Sequence, residues 1–357
     1  MTQTHKTYAS ATITKGPLST VEIVGSVDTA TYEKYRAPAL KNINESVIID
    51  GFRKGNVPEN ILIAKVGEMA ILEEMAELAL SKAYIEILID NKIDAIGKPK
   101  IQVTKMAAGN PLEFKLTTAV TPEVTLPDYK KIAAAEIAKS NPNEEKVTDQ
   151  DVEDAILRIR KSRASHEGHD HSKMSAEEHD KAVEAAMPEL TDDFVKSLGE
   201  FSDVPDFKNK LSLMVGEEKK DAAREKRRIR IADAIAEKST IDLPAIMLES
   251  ELGRMESQFR ADIERMNVTL EDYLKHAKKT LEDIKNDWKP HAEKKAKLQL
   301  ILNAIAVKEK IMPSAEEVET EVEHITEHYK DADREHATVY AETVLTNEKV
   351  FEFLEKK

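Results

Sequence analysis

The residues in this chain whose type and spacing could do chemistry are histidines. His324-Ile325-Thr326-Glu327-His328 has the H-x-x-E-H pattern of a zinc peptidase class, in which a helix sets two imidazoles on one face beside a carboxylate base. Its neighbours read as an acidic, exposed helix face with no further ligand marked, so the match is read as accidental and no metal site is expected there. His166, His169, His171 and His179, with Glu167 and Asp170, could converge on Zn²⁺ or Ni²⁺ from a short flexible tract. Without further groups to orient the imidazoles such a tract binds weakly, and the expected reading is a solvated linker. The 357-residue chain has no cysteine, which excludes thiolate catalysis and cysteine metal sites. It also has no Gly-rich phosphate loop, so no nucleotide or other cofactor is expected.

Recognition without reaction is written into Asp50-Gly51-Phe52-Arg53-Lys54-Gly55-Asn56-Val57-Pro58. Gly51 and Gly55 permit positive φ at the two ends of a turn, and Pro58 suits the first position of a following helix. Between them Phe52, Arg53 and Lys54 are presented, an aromatic beside two cations. The plainer alternative is a helix connection with Phe52 tucked beneath it. A second basic run, Arg224, Arg227, Arg228 and Arg230, is interleaved by Asp221, Glu225, Asp233 and Glu237 at helical spacing. That pattern reads as a salt-bridged helix face and not as an RNA contact.

The elements around the loop are legible from periodicity. Residues 8–15 and 19–26 alternate as strands separated by Gly16-Pro17, and residues 31–47 shift to helical spacing, with Leu40, Ile43 and Val47 on one face. Pro38 within that helix must kink or restart it, for a reason the sequence does not supply. A short helix over 58–66, ended by Gly67, precedes a longer one over 68–91 with Ile71, Leu72, Met75, Leu78, Ile85 and Leu88 along its apolar stripe. Strands at 99–106 and 112–120 supply the sheet that stripe needs, so residues 1–130 form an α+β domain with an antiparallel sheet.

Residues 131–163 read as an extended linker, reaching to Pro142, and a helix capped by Thr148 with Asp151. Residues 164–187 are the histidine-rich tract, expected to be mobile, and residues 188–357 read as wholly helical. There Thr191 and Pro205 start helices, and Pro244 opens one whose Leu248, Leu252, Met255, Phe259, Ile263 and Met266 recur at the spacing of helices packed lengthwise. Thr269 caps a helix reaching Trp288. A separate helix over 290–309 holds the most apolar face, Leu298, Ile301, Leu302 and Ile305, expected as the hub of the helical body. Ser314 with Glu317 makes a capping box, and a last helix carries Val339, Val344, Leu345, Val350, Phe351 and Leu354. Met214, Met247, Met255 and Met266 are core filler by default, or an adaptable surface for unfolded chains.

Composition agrees. Charged residues reach 34% against 5% aromatics, the balance of long amphipathic helices with much solvated surface, so an elongated helical part is expected. No apolar run approaches a membrane span, which predicts a cytoplasmic protein without membrane contact. Residues 1–130 carry 15 Lys+Arg against 16 Asp+Glu, so nearly all of the net charge of −14 lies beyond them. A polyanion should repel the second part and tolerate the first.

Gly51-Phe52-Arg53-Lys54-Gly55-Asn56-Val57-Pro58 resembles the ribosome-docking signature of bacterial trigger factor. Ile49-Asp50, Val66-Gly67 and Thr121-Pro122-Glu123-Val124-Thr125-Leu126 extend the likeness. Beyond the middle of the chain, residues 189–199, Ile241-Asp242-Leu243-Pro244-Ala245 and Ser250-Glu251-Leu252 are similar to segments of that family's helical cradle, in family order. The resemblance implies a ribosome-binding N-terminal domain with Gly51, Phe52, Arg53, Lys54, Gly55 and Pro58 as its docking residues. It implies a C-terminal helical chaperone domain whose arms hold unfolded nascent polypeptides. The partners it implies are the exit-tunnel protein and rRNA of the ribosome, with a homodimer possible off the ribosome.

One family part has no counterpart. The FKBP-like prolyl isomerase domain should fall between Thr148 and Leu190, but the interval 164–187 is 24 residues, without an aromatic or an alternating strand. A folded β-rich domain needs at least about 50 residues. The expectation is an ATP-independent holding chaperone without the isomerase domain. The alternatives are retained isomerase activity, a zinc hydrolase at His324 and His328, or a ribosome-anchored adaptor for one dedicated partner.

Overall fold

The computed structural model describes residues 6–164, 186–329 and 332–356. The chain divides into two compact units, one of residues 1–126 with 239–307, the other of residues 127–238 with 308–357.

The first unit opens on a hairpin. β1 (Ser10–Gly16) and β2 (Thr20–Val27) pair antiparallel, with Ser10 opposite Ser26 and Gly16 opposite Thr20. With β3 (Ala95–Lys105) and β4 (Leu112–Val120) they make a four-stranded antiparallel sheet in the order β1-β2-β4-β3. The alternation expected for β4 is present: Leu112, Phe114 and Leu116 are fully buried and Thr118 lies on the same face. Gly25 of β2 faces Phe114, and a Cβ there would stand 2.7 Å from the ring and 2.5 Å from the Ser10 carbonyl, so only glycine lets these strands close.

Four helices cover this face. α1 (Thr29–Glu33) and α2 (Arg36–Ser46) replace the single helix expected over 31–47, and the break falls at Lys34 and Tyr35. Pro38 is the third residue of α2, in the first turn, where a backbone N–H has no intrahelical acceptor. It restarts the helix at no hydrogen-bond cost, the reason missing from the sequence reading. α3 (Glu59–Val66) and α4 (Glu68–Asn91) meet at Gly67, whose φ is 83°. The buried stripe of α4 includes Ala76, Ala79 and Ala83 with Ile71, Leu72, Met75 and Ile87. The helix packs beside α1, α2 and α3, and Ile85, expected in the stripe, is turned outward at 57% exposure.

The same unit contains a region expected to be wholly helical that begins with a strand. Thr240–Ile241 pairs antiparallel with Val124–Thr125. Nearby, Ser19 donates its backbone N–H to the Asp242 carboxylate at 2.9 Å and its hydroxyl to the Asp242 carbonyl at 2.7 Å. Helices Ala245–Arg265, Leu270–Ala277 and Leu281–Glu309 follow. The last runs unbroken through Pro290, so the boundary expected there is absent and Leu281, Ile284 and Trp288 belong with Leu298, Ile301, Leu302 and Ile305. Phe259 meets Tyr273 and Trp288 edge to face, each at 5.2 Å, and buried Glu251 is paired with Lys295 at 2.7 Å and with Arg254 at 2.5 Å.

In the second unit, residues 129–138, read as extended connection, form the helix Tyr129–Ala138. Its apolar positions Tyr129, Ile132 and Ala133 are buried, and the Asp128 side chain caps it. Thr148 and Asp151 form the expected capping box for Asp149–Ser162. Lys219 and Thr148 hold the Asp151 carboxyl well below the usual carboxylate range. Ile156, Val195, Phe207, Leu211 and Val215 close a core among Asp149–Ser162, Asp192–Leu198 and the 35-residue helix Val204–Lys238. Ser314 caps Ala315–His328 with Glu317 as expected, and Val322 packs against Ala337 and Ala341 of Arg334–Glu355.

Arg224, Arg227 and Arg228 of the arginine run are ion-paired to other elements than their own helix, and Arg230 donates to the Ser140 hydroxyl. Arg228, only 8% exposed, reaches Glu348 at 2.6 Å and Glu355 at 3.2 Å, Arg224 meets the same two, and Arg227 meets Glu145 and Glu355. For Arg224, Arg227 and Arg228 the carboxylates come from Glu145 and from the last helix, which covers this face.

Candidate functional site

The loop between α2 and α3 is fastened at its ends and free at its tip. The Val47 N–H closes α2 on Ile43, and Ile49 packs against the core. Phe52 then donates its N–H to Ile49 at 3.1 Å, and Asn56 donates to Arg53 at 2.9 Å, making two successive turns. Gly51 and Gly55 carry φ of 86° and 83°, the left-handed values a glycine adopts without strain. Beyond them Val57 is buried at 4% exposure and Leu62 of α3 at 1%. Pro58, expected as the first helical residue, is instead the cap of α3, and its carbonyl accepts from Ile61 and Leu62.

Asn44, which sequence reasoning passed over, ties the two sides together. Its backbone carbonyl accepts from the Gly55 N–H at 3.0 Å, and its side chain both donates to the Val57 carbonyl and accepts from the Val57 N–H. A lone Asn inside a helix gives no sequence signal, because its partner is set only by how the loop folds back.

The side chains at the tip remain outside these contacts. Phe52 is 37% exposed, Arg53 and Lys54 are exposed, and neither cation enters an ion pair among the described residues. Ile48, at 86%, is the most exposed of the large apolar side chains among the described residues and stands four residues before Phe52. The sequence reading missed it, since an apolar residue beside a helix end reads as core by default. The surface offers apolar contact and two unneutralised cations, which suits an anionic, partly apolar partner, and it holds no group arranged for proton transfer or nucleophilic attack.

The other candidates separate. His166, His169, His171 and His179 lie outside the described residues. His324 and His328 stand exposed on Ala315–His328, and no group of three or more possible metal ligands converges among the described residues. The peptidase reading thus finds no third protein ligand there. Of the methionines, Met214 and Met266 are 65% and 64% exposed, against the default of core filler, while Met247 and Met255 are half-buried. Met214 borders a pocket of about 260 Å³ with Leu198, Phe201, Phe207 and Leu211. No helix among the described residues is long and apolar enough to cross a membrane.

An α+β module carrying a clamped loop with two exposed cations is followed in the chain by a mostly helical remainder. Two family models match the chain: "Bacterial trigger factor protein (TF)" over residues 9–159 and "Bacterial trigger factor protein (TF) C-terminus" over residues 203–356. The chain belongs to the bacterial trigger factor family, whose members are ribosome-associated chaperones. Among curated relatives, the trigger factor of Pelotomaculum thermopropionicum is 26% identical over 87% of this chain and 87% of its own length. That of Carboxydothermus hydrogenoformans is 26% identical over 91% and 92%. A solved structure from work on promiscuous substrate recognition in folding and assembly by the trigger factor chaperone shares the fold, at TM-score 0.53 and 17% identity over 97% of this chain and 99% of that one. The Pelotomaculum alignment spans 386 positions while drawing on 87% of these 357 residues, so it crosses gaps of several tens of residues in this chain.

Proposed function

We propose that this protein is an ATP-independent holding chaperone that docks at the ribosomal exit tunnel through Phe52, Arg53 and Lys54, with Gly51, Gly55 and Pro58 shaping the loop. Its site of action is the cytoplasm, where it shields nascent segments until they fold or are exported. The observation that carries this reading is the loop itself: two cations without an internal partner beside a part-exposed aromatic, on a turn fixed by Asn44. The cations of such a tip can be neutralised by a partner, and they favour rRNA phosphate and acidic tunnel-rim protein.

Client binding belongs to the helical parts. Leu213, Met214, Val307, Met312, Val339 and Tyr340 are large apolar side chains more than 60% exposed, a dispersed surface suited to weak contacts with many sequences. No isomerase step is assigned, since residues 164–187 are too few to enclose a proline pocket. The test is co-sedimentation with ribosomes. The wild type should sediment with them in a salt-sensitive way, and the Phe52→Ala, Arg53→Ala, Lys54→Ala triple variant should not. Equal sedimentation of the two at moderate salt would remove the anchor assignment.

A further inference from the structure

The histidine pair of Ala315–His328 takes no part in the function proposed above, and its geometry is organised. His324 and His328 are one helical turn apart, both exposed, with ring centroids 4.5 Å apart and tilted by 52°. His328 Nδ1 lies 3.0 Å from the His324 carbonyl oxygen. A carbonyl only accepts, so Nδ1 carries the proton and the lone pair of the neutral ring sits on Nε2, facing away from the backbone. This is how a metal-binding imidazole is fixed: one ring nitrogen tied to a backbone acceptor, the other left as donor.

We propose that His324 and His328 form a two-imidazole chelate for a borderline divalent cation of the copper, nickel and zinc class. Two nitrogens each about 2.0–2.1 Å from one ion stand roughly 3 Å apart, a separation that imidazoles one helical turn apart can present. Glu321 and Glu327, three residues to either side of His324, share this side of the helix and make it attractive to cations. The protein supplies two ligands and water the rest. The site is therefore an exchangeable surface chelate and not the three-ligand centre of a peptidase. Imidazole donors select Cu²⁺ and Ni²⁺ most strongly and Zn²⁺ next, and do not favour Mg²⁺ or Ca²⁺, which take oxygen ligands. The pair is a metal site where the sequence reading expected none.

The experiment is calorimetric titration of the full chain with NiCl₂, in a background where His166, His169, His171 and His179 are replaced by Asn so that the tract cannot contribute. One Ni²⁺ should bind per chain, with excess Mg²⁺ present and without effect. His324→Asn and His328→Asn should each weaken binding roughly tenfold or more, since each leaves a single imidazole, while His336→Asn should not. Circular dichroism of the variants should match the parent, as both side chains are exposed. Paramagnetic broadening by Ni²⁺ should fall first on the ring protons of His324 and His328. Binding unchanged in either single variant, binding abolished by Mg²⁺, or no binding in the background chain would each overturn the assignment.

Discussion

Asn44 and Val57 exchange two hydrogen bonds, Nδ2–H to carbonyl at 2.8 Å and N–H to Oδ1 at 3.0 Å, which fasten the end of the 47–57 loop against α2. The loop's shape rests on this pair, and its chemistry rests on residues that the pair does not touch.

Shape and chemistry can accordingly be separated. Asn44→Ala leaves a buried-side N–H and carbonyl of Val57 without partners and should cost about 1–3 kcal/mol of stability together with weaker ribosome binding. The Phe52, Arg53, Lys54 triple alanine variant should lose ribosome binding with its thermal midpoint within a degree or two of wild type. Calorimetry beside co-sedimentation checks both. A triple variant as destabilised as Asn44→Ala would mean that the tip is structural.

Ile48 gives the apolar counterpart. Because its side chain is 86% exposed, Ile48→Ser should change stability by less than about 0.5 kcal/mol. If the docking surface extends to it, ribosome affinity falls while the salt dependence of binding keeps the wild-type slope, since no charge is removed. Titration against ribosomes at two salt concentrations measures this, and a changed slope would argue against a purely apolar contact.

Acid should loosen the pair of helices Ala315–His328 and Arg334–Glu355. Lys349 and the Ser314 cap hold the Glu317 carboxyl at about 2, below its ordinary 4.5. A depressed carboxylate stabilises the fold above its unfolded value and loses that contribution as pH falls from about 4.5 towards 2. Glu317→Gln should reduce the loss of helix signal per pH unit across this window, followed by circular dichroism. An unaltered acid titration would place the acid-sensitive groups elsewhere.

Arg228→Ala should destabilise by about 3 kcal/mol, more than Arg224→Ala, because it strips two carboxylates of a buried partner while Arg224 is half-exposed. Arg228→Met, which keeps bulk over Phe351, should recover little of this if charge compensation is the cause. Urea unfolding of the three chains decides. Full recovery by Met would make packing the cause.

The purified protein should suppress aggregation of a denatured substrate at stoichiometric amounts without nucleotide, and leave a proline-limited refolding rate unchanged. Lowering a barrier of roughly 18–20 kcal/mol needs a shaped pocket, whereas holding needs only dispersed contacts. Acceleration at substoichiometric amounts would reveal an isomerase site.

The sequence made the sheet and α4 legible because period-two and helical patterns were strong there, and it made the loop legible because Gly51, Gly55 and Pro58 mark a turn. It hid Tyr129–Ala138, where prolines on both sides suggested extension and the Asp128 cap was overlooked. Pro290 misled in the opposite sense, since a proline inside a helix is tolerated when the flanking turns are held, as Trp288 is by Phe259. Asn44, Ile48 and the partners of Arg228 depend on which distant segments meet, and no local pattern carries that.

The pairing of Val124–Thr125 with Thr240–Ile241 has an entropic consequence. It sets the two ends of the 126–239 stretch side by side, and Ser19 on Asp242 holds the same corner. Halving or doubling the length of such an excursion changes its closing entropy by only about 0.6 kcal/mol. A change in the length of flexible chain between these ends should therefore cost the Val124–Thr125 and Thr240–Ile241 pairing little.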